Sequence, residues 1–290
     1  MQEMINYSEN TGGDFMTELR LLGAKDEKRL LAYIEEYTFE TAFLYANVKQ
    51  FGVENDGQTR RCADYYGLFE GESLLGVLPF YNLGSCIPHF IDARAIPIFA
   101  KKMKETHFDC LLGMNQLVGP LVEALKPFKE AIKDTDDSYY INQAFKPYRL
   151  QEIEIVSIHE LPLDQAIAFH REMNLVGFGR ETSDEEAQKA LNEKGDEEAY
   201  LVILKDGKCL ASANIQTYTG QIAQIGGVYT APEHRGNGYA KAVVSALCDI
   251  IIKSGKMPTL MVTKANTPAV KAYQALGFKH YDDYRIVSYQ

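Results

Sequence analysis

The stretch from residue 221 to 255 constrains the fold most, because it joins a strand to a helix through a glycine-rich loop. Its first ten residues, QIAQIGGVYT, are apolar enough for a buried strand, and Pro232 prevents that strand from continuing in a regular ladder. Glycine in Ser254-Gly255 can adopt the left-handed conformation that ends a helix. Between them, apolar residues at spacings i, i+3, i+4, i+7, i+10 and i+11 form one helical face: Ala240, Val243, Val244, Leu247, Ile250 and Ile251. The pattern predicts an α/β protein.

The loop from His234 to Gly238 lies at the N-terminus of this helix and predicts an anion site. Backbone N–H groups there have no intrahelical partner, and the helix dipole is positive. Glycines allow a ligand to approach the backbone, so a phosphate or pyrophosphate suits the loop. The loop has neither the Lys-Ser or Lys-Thr end of a nucleoside-triphosphate P-loop nor the Gly-x-Gly-x-x-Gly of a dinucleotide site.

Composition narrows the class of protein. The formal charge of −10 argues against binding nucleic acid through a basic surface. No run approaches the roughly 18 apolar residues that span a bilayer, so no membrane association is expected. The first 15 residues are polar, which predicts a frayed leader instead of a secretory signal and a cytoplasmic protein. Five cysteines without a CxxC pair predict reduced thiols and no metal site.

The chain repeats one plan at a distance of about one domain. YYGLFEGESLLGV (65–77) and YLVILKDGKCLASA (200–213) both give strand, glycine turn and strand, and the flanking elements recur in the same order. The repeat favours an ancient duplication over two unrelated α/β domains. With a boundary in the polar stretch that ends near residue 148, the predicted domains are 16–148 and 149–290, after the leader 1–15.

A second motif follows in LMVTKANTPAVKAYQALGFKHY, residues 260–281. Its apolar start is a strand. Asn266 is a good helix cap, and the proline two residues later suits a first helical turn. Ala269, Tyr273 and Leu276 share one helical face, and a glycine ends the helix.

The two motifs together resemble the GNAT superfamily of N-acetyltransferases. Residues 235–240, RGNGYA, fit the pattern Gln/Arg-x-x-Gly-x-Gly/Ala of its acetyl-CoA pyrophosphate loop, and Asn-x-x-Ala-x-x-x-Tyr-x-x-x-Gly-Phe is similar to its later motif. The resemblance covers about 150–290, and for 16–148 it rests on the order of elements alone. It implies an α/β (α+β) fold with two GNAT-like domains. Each would be a mixed, mostly antiparallel twisted sheet flanked by helices.

The resemblance also implies a site and a reaction, in which acetyl-CoA gives its acetyl group to the primary amine of a small molecule or peptide by direct attack. Tyr273 would protonate the departing thiolate, and the amide near Val228 would polarise the thioester carbonyl. Asn266 would bind the cofactor arm or serve only as a helix cap. The implied acetyl-CoA-binding residues come from the strand, the loop and the second motif: Val228, Tyr229, Thr230, Arg235, Gly236, Asn237, Gly238, Tyr239, Ala240 and Asn266.

The sequence does not identify a general base. The strand before the loop offers Gln224 instead of an acid, His234 lies in the phosphate loop, and Glu181 fits a solvated surface carboxylate as well as a substrate-facing one. A second hypothesis is therefore a non-catalytic acyl-CoA-binding sensor or interaction module. A third is a transferase for longer or aminoacyl donors.

The N-terminal half departs from both motifs. Gly84 alone makes no pyrophosphate loop, and Leu125 stands about where a tyrosine is expected. This half is predicted to be a degenerate GNAT-like domain that covers or shapes the substrate side. Phe80, Tyr81 and His89 either line that cleft or pack in the core.

Overall fold

The computed structural model describes residues 17–192 and 199–290, so the predicted leader 1–15 lies outside the described residues. The chain divides into two compact units. Unit 1 takes the residues up to Tyr139 together with Asp282–Gln290, and unit 2 takes Tyr140–Tyr281. Both are mixed α/β units, and the predicted fold class is confirmed.

Unit 1 consists of a sheet and helices, and its strands are joined by local hairpins and by crossover connections. Its strands run in the order β1-β2-β3-β4-β6-β13-β7, and β5 pairs with β3. Its elements in chain order are β1 Thr17–Leu21, α1 Glu27–Glu36, α2 Ala42–Phe51, β2 Ala63–Glu70, β3 Ser73–Tyr81, β4 Ser85–Cys86, β5 His89–Phe90, α3 Ala95–Glu105, β6 Cys110–Met114, α4 Asn115–Leu125, β7 Ala131–Ile141 and the later part of β13 Lys279–Tyr289. The last two residues of β7 belong to unit 2.

Unit 2 has strand order β12-β11-β10-β9-β8, antiparallel except where β11 and β12 run parallel. Its elements are β8 Glu154–Ser157, α5 Leu163–Glu172, α6 Asp184–Asn192, β9 Tyr200–Lys205, β10 Lys208–Tyr218, β11 Ile222–Thr230, α7 Tyr239–Lys253, β12 Met257–Thr263 and α8 Thr267–Ala275. It ends with the first residues of β13.

The sheet of unit 2 has a different core on each face. On one face α7 and α8 pack on the sheet, with Val243, Leu247 and Tyr273 buried among strand residues such as Ile225. On the other face α5 and α6 pack through a second cluster: Ile158, Ala166, Phe169, Met173, Leu191, Tyr200, Val202, Tyr229 and Ala231. The side chains of β11 therefore serve both cores, as the period of two in a strand requires.

Several local predictions are confirmed. The second hairpin turns at Asp206 and Gly207, both at positive φ (52° and 74°), which is the backbone of a primed turn. A serine at 183 with a glutamate three residues later predicts a capping box, and Ser183 and Glu186 form it, with N–H to side-chain distances of 3.0 and 3.2 Å. One local expectation is wrong: Pro97 was expected to weaken or shorten its helix, but it is the third residue of α3, where no intrahelical N–H bond is lost.

Two predictions about unit 1 need correction. The segment PLVEALKPF predicts a short helix that starts at Pro120, whereas helix α4 begins at Asn115 and contains the proline. The polar stretch assigned to the boundary is largely strand β7, whose residues Asp137–Tyr140 are buried. Hydrogen bonding to a strand far along the chain forms this element, and local composition does not show such pairing.

The units also differ from the predicted domains 16–148 and 149–290. The first division falls at Tyr139, nine residues earlier than predicted, and Asp282–Gln290 returns to unit 1. The reason is the pairing of β13 with β6, in which Tyr284 lies opposite Met114 and Ser288 opposite Cys110. Val287 is fully buried there.

Candidate functional site

The C-terminal half of β11 separates from its parallel neighbour. The two strands pair from Ile222 opposite Met257 to Ile225 opposite Leu260. Pairing stops there, although β11 continues to Thr230 and β12 to Thr263. Among the residues that the structure describes, the main chain of residues 226–230 thus has no strand partner on the β12 side. An extended ligand could pair with it as an added strand does.

A bulge lies in the same segment. Ser212 of β10 faces Tyr229 and Asn214 faces Gly226, so Gly227 and Val228 stand opposite a single residue. Gly227 has φ +58°, and a Cβ atom there would lie 2.1 Å from Asn214 Nδ2. Glycine is required because both the backbone conformation and the close neighbour exclude a side chain.

The loop after β11 ends at a helix N-terminus, as predicted. Ala242 is the first residue of α7 whose N–H donates into the helix, to Gly238 O at 3.0 Å. The N–H groups of Tyr239, Ala240 and Lys241 consequently have no intrahelical acceptor. Gly236 and Gly238 both have positive φ, and a Cβ on Gly236 would meet nothing within 4 Å. The turn thus presents open space, N–H groups and the positive end of the α7 dipole together.

Two side chains of the loop already make local contacts. Arg235 donates its N–H to Pro232 O at 3.3 Å and its Nε to Thr230 O at 3.2 Å. Asn237 donates Nδ2 to His234 O at 3.0 Å. Of the predicted set, Arg235 thus has its backbone N–H committed, and its contribution to an anion would come from the guanidinium.

Tyr148 lies against this loop and was not predicted. Its hydroxyl oxygen would be 2.8 Å from a Cβ atom on Gly238. Its N–H donates to Ser245 Oγ at 2.9 Å, and Lys241 Nζ lies 3.6 Å from its ring centroid. Tyr148 thus brings a hydroxyl group to the first turn of α7, and Lys241 brings a positive charge.

Asn266 caps helix α8. Its Oδ1 accepts the Ala269 N–H at 3.3 Å, and the residue is exposed. The cap is therefore a structural fact. A role in cofactor binding stays a prediction, for which the Nδ2 group provides a donor.

Tyr273 lies in the core between α7, α8 and the sheet. It is 5% exposed, and its ring makes an edge contact with Phe278 at 6.1 Å. Burial raises the pKa of the Tyr273 hydroxyl well above its usual value. The phenol therefore holds its proton at neutral pH, as a general acid must.

The side chain of Tyr229 belongs to the opposite face of the sheet. It is 3% exposed, packs on Phe169 and donates its hydroxyl to Glu172 Oε1 at 2.9 Å. Burial and then the hydrogen bond to Glu172 raise the pKa of the Tyr229 hydroxyl. Only the main chain of Tyr229 remains for the predicted cofactor contact.

The candidates for the general base lie in different environments. Gln224 is 1% exposed in the sheet, while Glu181 is exposed on a loop and His234 is half-buried in the turn before α7. Glu172, which sequence reasoning missed, is hydrogen-bonded to the strand that carries the bulge. A signal for it existed, since Glu172 stands three residues after the buried Phe169 and so lies on the same side of α5, although Glu172 itself is exposed.

The N-terminus of α3 in unit 1 differs from the N-terminus of α7 in unit 2. Asp92 accepts the Arg94 N–H at 2.8 Å and binds its guanidinium at 2.7 Å, and Arg94 also contacts Glu70. The hydrogen bond from the Arg94 guanidinium holds the pKa of Asp92 below its usual value. A carboxylate thus occupies this helix start. Phe80, Tyr81 and His89 are each at least nine-tenths buried, so they pack in the core.

Within residues 17–192 and 199–290, no group of three His, Cys, Asp or Glu side chains has the geometry to hold a metal ion. Over the same ranges no helix has the length and apolar composition needed to cross a bilayer.

Comparison with known proteins identifies the class. Residues 155–278 match the sequence model of the acetyltransferase (GNAT) family. No curated protein matches the chain. Among solved structures, the chain is similar to an acetyltransferase of the GNAT family from Colwellia psychrerythraea, with 13% identity, a TM-score of 0.60 and coverage of 94% of this chain and 100% of that one.

Two further structures have the same fold over nearly their full length. A Drosophila protein is 14% identical with a TM-score of 0.67, covering 95% of this chain and 99% of that one. A tandem GNAT protein from the clavulanic acid biosynthesis pathway, solved without acetyl-CoA, is 13% identical with a TM-score of 0.61, covering 93% and 97%.

The fold and the matched domain define an acyltransferase of the GNAT type. The matched domain, which lies within unit 2, belongs to the GNAT superfamily.

Proposed function

We propose that unit 2 is an acetyl-CoA-dependent N-acetyltransferase that acts on a primary amine by direct attack. One observation carries the proposal: β11 and β12 separate after Ile225 and Leu260, and the open main chain leads to the N-terminus of α7. A long, polar, phosphate-ended ligand fits this arrangement, because an extended arm can pair with the strand while its anionic end meets the N–H groups.

The residues present fit such a ligand in several ways. Val228 and Thr230 would bond the pantetheine arm through their main chains. Thr230 Oγ1 is buried and has no hydrogen-bond partner among the described residues, so a bound polar group would satisfy it. The anionic end would be held by the N–H groups from Gly236 to Ala240 and by the Arg235 guanidinium, with Asn266 as a further donor.

The chemistry then needs two proton movements: the ammonium loses one proton to solvent before attack, and the departing thiolate gains one. The amine nitrogen attacks the acetyl carbonyl carbon, the C–N bond forms, and the C–S bond breaks. The amide near Val228, placed by the bulge, would stabilise the oxyanion. Tyr273 would give its proton to the thiolate, and the raised pKa of its hydroxyl keeps that proton available at neutral pH.

The alternative, a non-catalytic acyl-CoA-binding module, has one observation in its favour. Tyr273 is 5% exposed and packs as a core aromatic, which a purely structural tyrosine also does. Turnover separates the two functions, because both predict binding of acetyl-CoA and only the enzyme releases free CoA thiol when an amine is added.

For unit 1 we propose a GNAT-like domain without a cofactor. The carboxylate of Asp92 at the start of α3 supports this proposal, because it would repel a pyrophosphate at the position where α7 offers free N–H groups.

Thermal unfolding with and without acetyl-CoA tests the binding step. At 100-fold its Kd, a ligand adds about 2.7 kcal/mol to the free energy of unfolding, or roughly 5–11 °C in Tm for a domain of this size. Arg235→Glu reverses the charge at the loop, and Lys253→Glu makes the same change at the exposed far end of α7.

We expect the Tm shift to be lost in Arg235→Glu and kept in Lys253→Glu. Each variant is compared with itself, so any intrinsic change in stability cancels. Absence of a shift in the wild-type protein at saturating acetyl-CoA would overturn the proposal.

A further inference from the structure

An exposed apolar loop follows helix α5. The chain forms a π-helical turn over Met173–Gly177, and three large side chains next to one another project into solvent. Leu175 is 53% exposed, Val176 45% and Phe178 55%. We call these three residues the apolar loop. Single exposed apolar residues are normal on a protein surface, but a contiguous group indicates a binding surface.

Hydrogen bonds hold this loop in one conformation. Asn174 Nδ2 donates to Thr182 Oγ1 at 3.1 Å, and Arg171 Nε donates to Thr182 O at 2.8 Å. The Arg180 N–H donates to Asn174 O at 2.9 Å. The apolar side chains are thus presented by an ordered backbone, so their exposure reflects the native conformation.

The loop is packed directly on β11. A Cβ atom on Gly177 would lie 2.9 Å from Cδ2 of Tyr229, so the backbone of the loop rests on that ring. Tyr229 is flanked by Val228 and Thr230, the residues proposed to carry the acyl arm. The apolar loop therefore lies beside the part of the strand where the thioester would be held.

The loop is on the face from which an acceptor can reach that strand. Helices α7 and α8 cover one face of the sheet with a packed core that includes Tyr273. Tyr229, Phe169 and Met173 belong to the core on the other face. With the acid on the first face, an attacking amine would approach from the second.

One carboxylate on this face is oriented toward the strand. Glu172 is exposed and accepts the hydroxyl of Tyr229 at 2.9 Å. The neighbouring Arg171 is paired with Asp184 at 2.6 Å. Arg180 and Glu181 are adjacent, exposed and opposite in sign. Glu172 thus gives this end of the loop its negative charge.

We propose that the acceptor is a primary amine carried on an apolar group, with its ammonium at Glu172 and its apolar part on the apolar loop. The inference rests on the proposed function and names its substrate class. Glu172 takes one proton from the ammonium before attack and passes it to solvent. The neutral amine then forms the C–N bond as the C–S bond breaks, and the products are the acetamide and CoA thiol.

The test uses 2-phenylethylamine as the apolar amine and spermidine as a polar, polycationic one. Phe178→Ser removes an apolar side chain of the loop, and Leu163→Ser is its matched control, since Leu163 is 53% exposed elsewhere in unit 2. Glu172→Gln keeps an oxygen that can accept the Tyr229 hydroxyl, and Glu154→Gln is a control at an exposed carboxylate of β8.

We expect kcat/KM for 2-phenylethylamine to exceed that for spermidine by at least about 10-fold. Phe178→Ser should raise the KM for 2-phenylethylamine about 10-fold, or about 1.4 kcal/mol, with little change in kcat. Glu172→Gln should lower kcat/KM for every amine, and the two controls should match the wild-type protein. A preference for spermidine, or equal effects of Phe178→Ser and Leu163→Ser, would overturn the inference.

Calorimetric titration measures the binding of 2-phenylethylamine directly, so this part of the test does not depend on turnover. Binding that Phe178→Ser weakens and Leu163→Ser does not supports the apolar loop as its site. If acetyl-CoA gives no Tm shift while the amine binds in this way, the proposed function fails and the amine site stands. If acetyl-CoA binds and the amine does not, the acceptor class is wrong.

Discussion

The hydroxyl of Tyr148 lies 2.8 Å from the position that a Cβ atom would take on Gly238. Gly238 also has φ +80° and forms the N-cap of α7. The start of the helix is thus fixed by a left-handed residue and a tyrosine that leaves it no room for a side chain. Gly236, two residues earlier, has a similar φ of +84° and open space around it.

The two glycines should consequently respond differently to alanine. Gly236→Ala costs only the left-handed backbone conformation, about 1–2 kcal/mol in the free energy of unfolding. Gly238→Ala should cost about 1 kcal/mol more, because the new methyl group contacts Tyr148. Tyr148→Phe removes the nearest atom and should restore part of that difference. Urea unfolding of the single and double variants measures it, and equal losses at both glycines would contradict the prediction.

Tyr273→Phe should separate catalysis from binding. Loss of a general acid lowers kcat by about 100-fold or more, whereas the Tm shift with acetyl-CoA should stay as in the wild-type protein, because the aromatic ring remains. Since burial raises the pKa of Tyr273, this residue should also cause no loss of rate up to about pH 9. Steady-state kinetics across pH provide the measurement. A kcat within about 3-fold of the wild-type value would show that Tyr273 is a core aromatic.

The helix-capping role of Asn266 can be separated from a cofactor-binding role in a similar way. Asn266→Ala removes the acceptor for the Ala269 N–H and should cost about 1 kcal/mol of stability. Asn266→Asp is the matched control, because aspartate caps helices as well as asparagine but has lost the amide donor. If Asn266 binds the cofactor arm, Asn266→Asp keeps the Tm of the free protein and raises the KM for acetyl-CoA. An unchanged KM in Asn266→Asp would leave the residue as a cap alone.

His89 should make the stability of unit 1 depend on pH. Burial lowers the pKa of His89 to about 4, and its Nδ1 lies 2.7 Å from the Tyr33 hydroxyl. In the unfolded chain its pKa is about 6.5, so between pH 6.5 and 4 the unfolded state binds a proton that the folded state does not. The contribution of His89 to the free energy of unfolding should therefore fall by about 3 kcal/mol as pH drops through this range and change no further below it.

Denaturant unfolding of the wild-type protein and His89→Gln from pH 7 to 4 measures this contribution. The variant lacks the titrating group, so its stability should vary less with pH over the same interval. Parallel curves for the two proteins would show that other groups set the dependence.

Features that depend on neighbours in the sequence were predictable. The turn at Asp206 and Gly207, the capping box of Ser183 and the two ends of α7 all follow from local backbone preferences and a period of 3.6 residues. The anion-binding geometry of the loop could be predicted for the same reason, since a helix N-terminus has its own electrostatics.

Features that depend on contacts between residues far apart in the sequence could not be predicted. Tyr148 reaches the loop through Ser245, 97 residues along the chain, and Glu172 meets Tyr229 across 57 residues. Strand β7 carries Asp134, Asp136 and Asp137, a composition typical of a loop, and its order comes from pairing within the sheet. Such contacts are decided by tertiary structure, on which single-sequence patterns carry little information.

Strand β13 has a consequence for how the protein is made. Its residues from Asp282 onward are synthesised after all of unit 2, yet they lie in the sheet of unit 1, between β6 and β7. Domains usually fold as their own segment leaves the ribosome, N-terminal ones first. Unit 1 has no complete sheet until β13 has been synthesised, so its nascent form must wait, with the place of β13 unfilled, through the translation of all of unit 2.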